Sequence, residues 1–88
     1  MLEVEVTVVN RAGVHTRPAA ALVKLTSRFK SDVTLVRDGF AINAKSIIGV
    51  MTMAAEQGAR LIVQAEGEDE LEAVSAIKEL FESGFGEI

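Results

Sequence analysis

The chain of 88 residues contains no cysteine, no tryptophan and no tyrosine, and only one histidine and one proline. Without cysteine there is no disulfide framework, no thiolate nucleophile and no thiolate zinc site. A single histidine cannot build a multi-histidine metal centre, so any metal would rest on carboxylates alone. Neither a metal nor a cofactor is expected. Basic residues are scarce too: 9 Lys and Arg stand against 13 Asp and Glu, a formal net charge of −4. That balance argues against nucleic acid as the main partner, because neutralising phosphates requires a basic surface. The opening Met1-Leu2-Glu3-Val4-Glu5 lacks the basic stretch and apolar core of a signal peptide. The longest apolar runs, such as Ala19 to Val23, fall far short of the roughly 20 residues a membrane span needs. A soluble cytoplasmic protein with no membrane insertion is the expectation.

What is present suffices for one small domain spanning residues 1–88, with 49% hydrophobic residues to build its core. The charges are segregated along the chain. Between Asn10 and Lys45 seven basic residues (Arg11, Arg17, Lys24, Arg28, Lys30, Arg37, Lys45) oppose Asp32 and Asp38, a net of +5. The remainder holds Arg60 and Lys78 against eleven acids, a net of −9. This distribution hints at a dipolar molecule.

Leu2 to Val9 alternates Glu3, Glu5 and Thr7 with Val4, Val6 and Val8, the period of a half-buried strand. Asn10-Arg11-Ala12-Gly13 then breaks the pattern with loop-type residues. A helix is predicted from Thr16, with Pro18 in its first turn and Ala19, Leu22, Val23, Thr26 and Phe29 on one face. Asp32–Arg37 and Phe40–Ala44 read as strands joined by the hairpin signal Asp38-Gly39. Ser46 is placed to cap a helix from Ile47 to about Ala55, closed by Gln57-Gly58. Arg60 to Glu66 reads as a fourth strand. A last helix, capped near Asp69, runs to about Ser83 with Val74, Ile77, Leu80 and Phe81 inward. Gly84 to Ile88 is expected to be a frayed tail. The order β-α-β-β-α-β-α implies an α+β open-faced sandwich, a four-stranded mainly antiparallel sheet with three helices on one face.

The single histidine lies in Gly13-Val14-His15-Thr16-Arg17-Pro18, where the first strand passes into the first helix. A lone histidine at such a junction can simply satisfy the helix start, but its neighbours argue otherwise. Gly13 permits an unusual backbone angle, so the ring can stand clear of the loop. Pro18 removes one amide and leaves those of Thr16 and Arg17 available to an anion. Arg17 could pair its planar fork with phosphoryl oxygens. The helix dipole and Arg17 both favour a neutral imidazole nucleophile at pH 7. No carboxylate stands nearby in the sequence to activate water, so the arrangement suits a carrier better than a hydrolase.

Gly13-Val14-His15-Thr16-Arg17-Pro18-Ala19-Ala20 resembles the active-site signature of the HPr family, the histidine-containing phosphocarriers of the bacterial phosphoenolpyruvate-dependent sugar phosphotransferase system. A second HPr-like signature follows at Lys45-Ser46-Ile47-Ile48-Gly49-Val50-Met51, and the likeness spans nearly the whole chain. The resemblance implies a carrier, not an enzyme. His15 would accept a phosphoryl group at Nδ1 from phospho-enzyme I and donate it to sugar-specific IIA domains, with Arg17 assisting. Val14 replaces a more usual Ile or Leu, and Ala12 replaces a more polar residue. It further implies regulatory phosphorylation of Ser46 by an HPr kinase/phosphorylase and, in some relatives, binding to a catabolite-control transcription factor. The carbohydrate and nitrogen-related branches of the system both remain open.

Ser46 by itself is an ordinary helix cap worth about 0.5–2 kcal/mol. The segment that follows is unusually apolar, and one side of a sheet cannot cover all its faces. Val50 and Met53 are expected inward, with Ile47, Ile48 and Met51 partly exposed as a docking patch. Thr16, Ala20 and Lys24 should join them, giving an apolar centre ringed by positive charge that suits acidic partners. Such complexes should be small and short-lived, and the carrier a monomer. Two other classes compete: a regulatory module operating through Ser46 alone, and a small hydrolase or ligand-binding domain. Retention of His15 and Arg17 favours the carrier.

Overall fold

The computed structural model of the protein describes residues 1–87. Four strands, β1 (Leu2–Thr7), β2 (Asp32–Arg37), β3 (Phe40–Asn43) and β4 (Arg60–Glu66), form one sheet in the order β1-β4-β2-β3, every neighbouring pair antiparallel. Three helices connect or follow them: α1 (Thr16–Thr26), α2 (Ile47–Thr52) and α3 (Glu70–Glu82). β4 separates β1 from β2, so the β1-α1-β2 unit is a split crossover. The expected α+β open-faced sandwich is therefore found, with a wholly antiparallel sheet.

The period of two in the strands decides the faces. Across the register, Val6 meets Leu61, Val4 meets Val63 and then Leu35, and Ala65 meets Val33. These rows lie under the helices with Leu22, Ile77 and Phe81, all fully buried. Burial of each such large apolar side chain contributes about 1.5–3 kcal/mol. The alternate rows stay open. Glu3 pairs with Gln64 across the strands, and the Gln64 side-chain amide donates to Glu3. At Asp38-Gly39 both residues have positive φ, 51° and 81°, the mirror-image turn whose twist matches the hairpin strands.

Three element ends differ from expectation, and one expected cap residue makes no cap bond. β1 stops at Thr7, although the Val8 N–H still donates to the Ala59 carbonyl at 2.9 Å, and β3 stops at Asn43. α2 has only six residues, because the amides of Met53 and Ala54 bond three residues back and Ala54 turns left-handed at φ 50°. The residue that ends the helix is thus Ala54, and Gly58 belongs to a later turn, its N–H donating to the Val8 carbonyl at 2.7 Å. Asp69 occupies the N-cap position of α3 but makes no cap bond. Its carboxylate instead accepts from the amides of Lys30 and Ser31 and from the Ser31 hydroxyl.

The expectation of a frayed tail also fails over the described residues, Ile88 lying outside them. A short 3-10 turn at Gly84–Gly86 reverses the chain, with Phe85 at φ 59°. Phe85 packs edge-on against Phe81 with ring centroids 4.8 Å apart, a contact worth about 0.5–1.5 kcal/mol beyond burial. Gly84 is buried close to Val9 and Asn10. An aromatic side chain with core to cover does not leave a tail free.

The Asp69 clasp has a defined pH signature. The Ser31 hydroxyl and the Lys30 amide lower the Asp69 carboxyl from 3.8 to about 2. A depressed carboxyl contributes stability above its unfolded value and loses it as pH falls through the folded one. The melting-temperature gap between wild type and Asp69→Asn should be constant near neutrality and shrink between about pH 4 and pH 2. Thermal unfolding at stepped pH measures it, and a gap independent of pH would contradict the clasp.

Candidate functional site

The site begins with the way β1 is delivered into α1. Gly13 has φ 73°, and a Cβ built there would fall on the Ala55 carbonyl oxygen. The neighbouring Val14 N–H donates to that same carbonyl at 2.9 Å. The loop after α2 is therefore pressed against the loop before α1, and only glycine fits both the angle and the space. This contact brings together the two sequence motifs.

His15 is the N-cap residue of α1, extended at φ −90°, with no side-chain cap bond. Its ring is thus not spent on the helix. The amides of Thr16 and Arg17 have no backbone or side-chain partner among the described residues, and unpaired N–H groups at a helix start attract anions. Nδ1 of His15 has no partner there either, and the side chain is 41% exposed, open to a second protein. Arg17, the second residue of α1, is exposed at the same helix start.

Beside His15 lies an open hollow of about 320 Å³, lined by Val14, His15, Thr16, Met51, Ala55 and Glu56 among others. Thr16, Ala20 and Lys24, spaced by four, share one exposed face of α1. On α2, Ile48 is 74% exposed, and Ile47 and Met51 are exposed too, while Val50 and, just past the helix, Met53 are buried. Ser46 accepts a hydrogen bond from the Gly49 amide at 3.1 Å, the cap bond expected of it. The structure thus joins His15, Thr16 and Met51 around one hollow, with Ile47 and Ile48 on the same short helix as Met51.

Two residues at the site escaped the sequence reading. Glu87 Oε1 lies 2.9 Å from His15 Nε2, so a carboxylate does stand beside the ring, contrary to the argument from sequence proximity. The Asn10 side-chain amide, 1% exposed, donates to the same Oε1 at 3.1 Å and to the Gly13 carbonyl at 2.6 Å. The His15 hydrogen bond, aided by the Asn10 amide and the Arg17 charge, lowers the Glu87 carboxyl below the usual range. The signal that could have revealed Glu87 was Phe85 between two glycines, an apolar residue able to fold the tail back.

The profile of the family described as PTS HPr component phosphorylation site matches residues 2–83. The phosphocarrier protein HPr of Treponema pallidum is 56% identical over 93% of both chains. The chain belongs to the HPr family of phosphocarriers. Its place is that of a phosphotransferase-system carrier, not of a catalyst. The HPr crystal structure from Thermoanaerobacter tengcongensis matches with a TM-score of 0.96 at 43% identity, covering 100% of this chain and 99% of that one. The catabolite-repression protein Crh of Bacillus subtilis, a swapped dimer in its crystal, matches at 0.77 and 39% identity over 96% and 97% of the two chains. Glu87 lies beyond the residues the family profile matches.

Gly13 carries a direct test of this junction. Gly13→Ala should cost at least about 1–3 kcal/mol, from the left-handed angle and the clash with Ala55. Urea unfolding reads the loss, and a variant as stable as wild type would refute the close approach.

Proposed function

We propose that His15 is the phosphoryl acceptor and donor of this chain, taking the group at Nδ1 from phospho-enzyme I and passing it to IIA domains of sugar permeases in the bacterial cytoplasm. The observation that carries this reading is the exposed imidazole at the start of α1, its Nδ1 and the amides of Thr16 and Arg17 at the same helix start all without a partner among the described residues. A phosphoryl group on Nδ1 would gain those donors and the Arg17 guanidinium, which favour an anion. The protein then balances retention against release, since the N–P bond must remain easy to break for the next acceptor.

The docking face is built from Thr16, Ala20 and Lys24 on α1 and Ile47, Ile48 and Met51 on α2. Charge pairing within the fold supports it. Lys30 and Arg37 pair with Glu68 and Glu56, and the Lys45 ammonium donates to the Phe29 carbonyl. Arg11, Arg17, Lys24 and Arg28 have no acidic partner among the described residues and are all exposed. These cations are left to steer an acidic partner onto an apolar centre. The carrier acts as a monomer through this face.

Ser46 is the regulatory position in this reading, phosphorylated by an HPr kinase/phosphorylase. Its place beside the exposed Ile47 and Ile48 supports that role, because a dianion there would repel acidic partners. A catabolite-control transcription factor is the partner this modified surface would suit, a reading favoured by the likeness to Crh.

Incubation with phosphoenolpyruvate and enzyme I should yield an acid-labile phosphate that His15→Ala abolishes; an unlabelled wild type under conditions where another HPr is labelled would overturn the acceptor role. Lys24→Glu should slow transfer from enzyme I by roughly tenfold at low salt and less at high salt. Stopped transfer assays at two ionic strengths measure this, and unchanged rates would remove Lys24 from the docking face.

A further inference from the structure

The reaction on Nδ1 leaves the other ring nitrogen to be explained, and here the tail is decisive. Glu87 Oε1 sits 2.9 Å from His15 Nε2, and the same oxygen receives the Asn10 side-chain amide at 3.1 Å. Asn10 is buried and fixed by its second bond, to the Gly13 carbonyl. The Phe81–Phe85 contact and the buried Gly84 hold the tail in place from the other side. An ionised carboxylate can only accept, so the proton in this contact belongs to Nε2.

We propose that Glu87, held by Asn10, is a positioning residue that keeps the His15 proton on Nε2 and leaves the Nδ1 lone pair free for the phosphoryl group. This inference rests on the reading of Nδ1 as the acceptor atom. The step balances without a proton transfer. The Nδ1 lone pair forms the new N–P bond while the leaving atom of the phosphorylated donor takes the electron pair of the bond that breaks. Nε2 keeps its hydrogen throughout, and the ring becomes a phosphorylated imidazolium. Its positive charge lies against the Glu87 carboxylate. In the reverse direction the protonated ring is the better leaving group, so the same contact promotes donation.

The charged groups facing the ring come from three directions. Glu87 approaches from the tail, Arg17 lies on α1, and Glu56 stands on the wall of the hollow, where Arg37 binds its carboxylate at 2.8 Å. Of these groups Glu87 alone makes a hydrogen bond to the imidazole among the described residues.

Two measurements on the full chain test the assignment. Long-range ¹H–¹⁵N spectra of the unphosphorylated protein at neutral pH should show the proton on Nε2, with a larger Nδ1–H fraction in Glu87→Ala and the wild-type pattern kept in Glu87→Gln. The same tautomer ratio in wild type and Glu87→Ala would overturn the proposal, and this readout needs no phosphorylation. In the phosphorylated protein, loss of the group followed by ³¹P spectra across pH 5 to 9 should slow above neutrality by roughly threefold to tenfold in both variants. Superimposable pH profiles would also overturn it. A wild type that takes no phosphoryl group overturns the acceptor reading, whereas normal labelling with an unmoved tautomer overturns only the role of Glu87.

Discussion

The contact between Gly13 and the Ala55 carbonyl is the constraint on which the working end of the molecule depends. It joins the strand-to-helix loop before α1 to the loop after α2, 42 positions later in the chain. The left-handed angle at Gly13 leaves His15 extended, one residue ahead of the helix, with its ring outward. The Val14 amide locks the two loops at the same carbonyl. Neither loop could do this alone: the first lacks a core of its own, and α2 is too short to hold its position without neighbours.

Around that junction the fold divides its charges by function. The −4 total describes the chain poorly, because the last helix and the sheet rim carry much of the acid. Lys30, Arg37 and Lys45 are consumed by contacts within the molecule, and of the six other Lys and Arg residues, none with an acidic partner among the described residues, four lie on α1 or the loops flanking it, Arg60 and Lys78 lying elsewhere. Apolar side chains on α2 stand beside this field, uncovered by the sheet because a six-residue helix has only one inward face. A surface of this kind favours fast arrival and fast departure, as a carrier requires.

The imidazole sits between opposing influences. The helix start and Arg17 favour an anion on the ring, and the carboxylate of Glu87 favours a proton on the far nitrogen. A phosphorylated, protonated ring answers both at once, negative toward α1 and positive toward the tail. The two ring nitrogens thereby have different surroundings: Nε2 meets the Glu87 carboxylate, and Nδ1 has no hydrogen-bond partner among the described residues.

The strands, the three helices, the core-facing side chains and the placement of His15 and Arg17 at the start of α1 and of Ser46 at the start of α2 were legible in the sequence. Each of these rests on local periodicity, or on a short motif whose neighbours act directly: Pro18 in a first turn, Asp38-Gly39 in a hairpin, Val50 inward and Ile48 outward on one short helix. The end of α2, the clasp of Asp69 on Ser31 and the return of Glu87 to His15 were decided by tertiary structure. In every one of those cases the partner lies far along the chain: Val14 for Ala55, Ser31 for Asp69, Asn10 and His15 for Glu87. Periodicity reports which face of an element is buried but not which loop meets which. By sequence the acid at position 87 falls in an expected frayed tail, and it is the packing of Phe85 on Phe81 that brings it to the ring.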